Sequence, residues 1–82
     1  MTTPEAIAGY LRAGLACQHL EVRGDGHHFE AVIVSEAFDG KSRVARHQVV
    51  YAVLGDRMRE EIHALSMKTF TPQEWNEVRG AQ

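Results

Sequence analysis

The chain has 82 residues, a formal charge of −2 and an apolar content ordinary for a globular protein. That length supports one small core and leaves little room for an enclosed catalytic cleft. The acidic balance disfavours a strong sequence-independent grip on nucleic acid, and a single cysteine excludes an internal disulfide.

Thr3-Pro4-Glu5 reads as a helix start. Thr3 can cap, Pro4 suits the first helical position, and Glu5 favours the positive end of the dipole. Ile7, Tyr10, Leu11, Gly14 and Leu15 recur at helical spacing, which predicts a first helix over about residues 4 to 16. His19 to Arg23 reads as a short strand. Cys17, between the two, sits beside apolar residues with no lysine near in sequence, so packing is expected of it rather than chemistry.

Gly24-Asp25-Gly26 is a turn signal, since Gly permits positive φ and Asp tolerates it. His28 to Ser35 alternates Phe29, Ala31 and Ile33 against Glu30, Val32 and Val34. The β-branched run Val32-Ile33-Val34 predicts burial on both faces in its second half. Two strands around a short Gly-rich turn predict an antiparallel hairpin. Glu36 to Gly40 is a connection anchored by Phe38.

A second helix is expected over about residues 42 to 60, with Val44, His47, Val50, Tyr51, Leu54 and Met58 as its apolar stripe. Gly55 inside it costs roughly 1 kcal/mol relative to Ala, which makes it a place for a bend or break. Ala64 to Phe70 reads as a third strand. Thr71-Pro72-Gln73-Glu74 is a capping box that opens a last helix carrying Trp75 and Val78. Arg79 to Gln82 is expected to fray. One domain is expected, with its ordered core over about residues 4 to 78.

His63 stands where a charged helical pattern gives way to the third strand, so its ring can stay reachable. A second imidazole source, His27-His28, lies at the upstream turn. Neighbouring residues entering a strand point to opposite faces, so at most one of these two is expected to face a given metal. Any such ligand set is incomplete and calls for another molecule. His47, on the apolar stripe, reads as a half-buried, hydrogen-bonded structural residue. Lys41, Arg43 and Arg46 form a basic cluster that suits an acidic partner or, less well, DNA phosphates. Asp39-Gly40-Lys41-Ser42 lacks the earlier glycine of a phosphate-binding loop, Ser35 standing in its place. No Gly-x-x-Gly occurs, which removes the clamp that KH domains close on single strands. Nothing in the chain has the pattern of a catalytic nucleophile or carboxylate pair, and no enzyme is expected.

Three segments carry a family resemblance: Gly24 to Ser35, Phe38 to Gln48, and Ile62 to Thr69 followed by Thr71 to Trp75. In order and spacing they resemble the BolA family, most of all its bacterial IbaG (YrbA-like) branch. The resemblance implies an α+β fold like a type II KH domain. Its order would be helix-strand-strand-helix-strand-helix, around a small three-stranded mixed sheet. It also implies partnership with a monothiol glutaredoxin around a shared [2Fe-2S] cluster, to which the glutaredoxin brings a cysteine and bound glutathione. On that pattern His63 is one ligand, and His27 or His28 the second. The rival expectation is a DNA-binding regulator that uses the Lys41–Arg46 cluster and His47. A cytoplasmic protein is expected, since no signal-peptide pattern and no run of roughly 20 apolar residues is visible. A monomer or weak homodimer is the expected state.

Overall fold

The computed structural model describes residues Thr2–Gly80. In chain order it contains α1 (Pro4–Gly14), β1 (His19–Gly24), β2 (His28–Val34), a 3-10 turn (Glu36–Phe38), α2 (Arg43–Leu54), α3 (Arg57–Glu60), β3 (Ala64–Phe70) and α4 (Pro72–Gly80). The sheet order is β1-β2-β3. The β1–β2 pair is the expected antiparallel hairpin and the β2–β3 pair is parallel, so the sheet is mixed and the fold α+β.

The helix starts follow their capping chemistry. Thr3 Oγ1 accepts from the Ala6 N–H at 3.1 Å, and Ser42 Oγ from the Ala45 N–H at 3.2 Å. At α4 the capping box closes both ways: Thr71 Oγ1 accepts from the Glu74 N–H at 3.1 Å and Glu74 Oε1 accepts from the Thr71 N–H at 2.9 Å. α1 ends at Gly14, two residues earlier than its periodicity predicts, because Leu15 turns extended and packs into the core.

One face of the sheet carries Leu20, Phe29, Ala31, Ile33 and Met67. It is covered by Ile7 and Leu11 of α1 and by Val50 and Leu54 of α2. Phe38 anchors the connection at 0 % exposure, as expected. The other face is covered only at one end. There Trp75 of α4 stacks on His19 with ring centroids 4.8 Å apart and lies 5.4 Å from the Phe70 ring. His19, Val34 and Phe70 are register partners. Val34 is therefore buried on the face opposite Ile33, which gives the double burial expected of the second half of β2.

The second helix breaks at Gly55, the place expected for it: at φ 58° and ψ −133° this residue ends α2, and α3 starts afresh two residues later. That backbone region is open to glycine and strained for other residues. The stripe is also turned. Val44 is 66 % and Tyr51 42 % exposed, while Val49 and Val53 pack against the core instead. The cause is the approach of α1, where a Cβ on Gly14 would meet Val53 Cγ1 at 2.7 Å. Val53 seats on that missing side chain and rotates the helix away from Val44 and Tyr51. The tail also differs from expectation: Arg79 and Gly80 are helical, and Ala81 and Gln82 lie outside the described residues.

Candidate functional site

The parallel pairing sets His28 opposite Ala64, so the start of β2 lies beside the start of β3. The turn before β2 and the junction before β3 therefore meet at one end of the sheet. The His27 ring centroid is 6.1 Å from that of His63 and the His28 centroid 6.4 Å, each ring at 89° to it. All three side chains are exposed. Both turn histidines approach His63, because His27 belongs to the turn rather than the strand and strand alternation does not separate it from His28.

Asp25 shapes this turn. Its Oδ1 accepts from both the His27 and His28 N–H groups at 2.9 Å, while its own N–H donates to the His28 carbonyl at 3.2 Å. Gly26 supplies the positive φ, 100°. The His28 and then the His27 N–H, donating to the carboxylate, hold its pKa below the usual range. The sequence marks Asp25 as a turn residue. Its carboxylate, accepting from the backbone two and three residues on, makes an Asx-type turn, for which Asp before Gly is the local signal.

His63 is held from the other side. The Tyr10 hydroxyl donates to Glu61 Oε1 at 2.9 Å, and the Arg57 guanidinium lies 4.0 Å over the Tyr10 ring. α3 is thus pinned to α1. Ile62 is buried at 3 % exposure, and His63 emerges between it and β3. These contacts link residues remote in sequence and have no local signature.

Two imidazoles sharing one tetrahedral ion through bonds of about 2 Å place their ring centroids roughly 5 Å apart. The centroids of the turn histidines, at 6.1 and 6.4 Å from that of His63, stand a little wider than that spacing. The donor set suits iron, which accepts imidazole. Among the described residues there is no preformed group of three His, Cys, Asp or Glu side chains around a common point. Cys17 belongs to the opposite end of the hairpin. It is partly buried against the core, and burial pushes its thiol pKa up while Arg12 pulls it down. That is packing, as its sequence context predicts.

The basic cluster divides on inspection. Arg46 is occupied within the chain, its side chain only 12 % exposed. Nε donates to the Lys41 carbonyl at 3.0 Å and Nη1 to the Thr69 carbonyl at 3.3 Å. The two terminal nitrogens fork onto Glu74 at 2.7 and 3.2 Å. The Arg46 guanidinium first, and the Thr71 N–H second, lower the Glu74 carboxyl pKa to about 2. Lys41 and Arg43 remain exposed. His47 is half-buried as expected, but no hydrogen bond to its ring is found among the described residues. Lys68 of β3 joins the same surface and went unnoticed in the sequence, where it stands apart from the other cations.

The family model for BolA-like protein matches residues 11–74. The acid stress protein IbaG of Escherichia coli K12 is 44% identical over 70 residues, covering 84% of this chain and 83% of that one. The DNA-binding transcriptional regulator BolA of Vibrio cholerae is 43% identical over 60 residues, 73% of this chain and 57% of the relative. A solved structure of a BolA homologue from Coxiella burnetii superposes with a TM-score of 0.80 at 43% identity, over 93% of this chain and 99% of that one. On sequence and on fold alike, this chain belongs to the BolA-like protein family.

Proposed function

We propose that this chain is a non-enzymatic cytoplasmic partner of a monothiol glutaredoxin, and that it supplies imidazole ligands to a [2Fe-2S] cluster held between the two proteins. The observation that carries the reading is the approach of His27 and His28 to within 6.4 Å of His63 at an exposed edge. A two-histidine donor set leaves the remaining positions to the partner's cysteine and its glutathione. When bound, the cluster supplies an acid-labile iron–sulfur centre, and imidazole ligation raises its potential relative to all-thiolate ligation. The protein's own part is positional. Asp25 fixes the turn, Ile62 and α3 fix His63, and a neutral imidazole nitrogen must be free on each side.

The test is the visible absorption and circular dichroism of the anaerobic complex with a monothiol glutaredoxin and glutathione. His63→Ala is expected to abolish this chain's ligation while far-ultraviolet spectra stay native. His27→Ala/His28→Ala is expected to weaken the cluster while leaving protein contact in place. A His63→Ala complex with the wild-type cluster spectrum and lifetime refutes the ligand assignment.

A second reading, DNA binding through Lys41 and Arg43, is favoured by the description of the Vibrio cholerae relative. With so few free cations on an acidic chain, that affinity would be weak and would fall steeply with salt. Tight, sequence-dependent binding that survives high salt would establish it over the cluster reading.

A further inference from the structure

A groove of about 600 Å³ runs between α2 and α4 over the end of β3. It lies at the far end of β3 from His63, roughly 20 Å away for a strand of this length, so nothing bound at the histidines fills it. Lys41, Arg43 and Lys68 line it. Arg46 and Glu74 also line it but neutralise each other, which leaves Glu77 as the one uncompensated carboxylate among the lining residues. The groove is therefore positive on a chain whose formal charge is −2. It is also partly apolar. Val78, 40 % exposed, and Phe70 form part of its wall, and Val44, 66 % exposed, stands on the adjoining face of α2.

The floor is the outer edge of the sheet at the end of β3. Ser35 N–H donates to the Phe70 carbonyl at 3.0 Å, so Phe70 turns its backbone groups toward β2. In a parallel ladder the preceding residue turns its groups outward. Thr69 follows that rule, because its carbonyl accepts from Arg46 on the groove side.

We propose that this groove receives an extended segment of a partner protein in which acidic and aliphatic residues are mixed. Lys41, Arg43 and Lys68 pair with its carboxylates, and Val78 takes its aliphatic side chains. One feature favours such a peptide over nucleic acid: Val78 offers an aliphatic contact that a peptide side chain can use and a sugar-phosphate backbone cannot. Because Arg46 already occupies the outward Thr69 carbonyl, the segment is held by its side chains rather than by strand pairing. The proposal stands apart from the histidine reading and is tested on the metal-free chain.

The experiment is a fluorescence-polarisation titration of the full chain at low ionic strength. The probes are a dye-labelled peptide of Glu-Glu-Val repeats, its Lys-Lys-Val counterpart and a random-sequence DNA duplex. The acidic peptide is expected to bind best and to lose affinity as salt rises. Lys41→Glu/Arg43→Glu should weaken it about tenfold or more. Both side chains are exposed, and an acid in the first turn of α2 suits the helix dipole, so the variant should fold. Val78→Ser should weaken the peptide severalfold and leave DNA unaffected. Absence of peptide binding overturns the proposal. So does peptide binding insensitive to the charge reversal, or tighter binding of the duplex than of the peptide.

Discussion

The Arg46 guanidinium forks onto the Glu74 carboxylate, joining α2 to α4 across the end of β3. Because the same guanidinium donates to the Thr69 carbonyl, it also closes the end of the edge strand between them. This pair fixes α4, and with it Trp75, on the sheet.

Acid should release that clamp. The Glu74 pKa is depressed from about 4.5 to about 2 in the fold. Its contribution to stability is therefore complete above the unfolded value and disappears as pH falls through the folded one. Between those limits Trp75, the single tryptophan, should lose its contact with His19 and change its fluorescence. Glu74→Gln should lack this acid step and show looser α4 packing at neutral pH. Identical acid profiles for the two proteins would mean that Glu74 is not the group that titrates.

Asp25→Ala should act on the turn and spare the core. The carboxylate is exposed and touches only backbone N–H groups of its own loop, so the thermal midpoint should move little. Amide exchange at His27 and His28 should quicken, and a cluster shared with a glutaredoxin should be lost faster. Unchanged amide protection in the variant would show that the loop is held by something else.

Two glycine-to-alanine changes should have opposite signs. Gly9 lies within α1 with open space where a Cβ would stand, so Gly9→Ala should stabilise by about 0.5–1 kcal/mol. Gly55 also has open space, but its φ of 58° strains any side chain, and Gly55→Ala should destabilise by about 1–3 kcal/mol. Urea unfolding of the two variants measures both. A stabilised Gly55→Ala protein would mean that the α2–α3 break does not need that backbone angle.

The elements of the fold were legible because each carries its own local chemistry. Thr3-Pro4 and Thr71-Pro72 announce helices, and Phe29 to Val34 announces a strand buried on both sides. The facing of α2 was not legible. It depends on Gly14 leaving room for Val53, a fact about two helices rather than one pattern. At the site, the identity of the three histidines could be read, but not that both turn residues approach His63. That follows from the register of His28 with Ala64. The commitment of Arg46 to Glu74 was hidden for the same reason, since those residues are brought together only by the packing of α4.

The parallel pairing of β2 with β3 also bears on assembly. The β1–β2 hairpin closes through a short turn and brings His27 and His28 with it at little cost in loop entropy. His63 joins them only after the chain has passed through α2 and α3 and returned to the sheet. The histidine end therefore depends on the longer-range of the sheet's two strand pairings. A ligand gripped from both sides closes that long loop, and its binding free energy adds to the stability of the folded chain. The melting temperature should then rise with ligand concentration, even where the ligand touches nothing in the core.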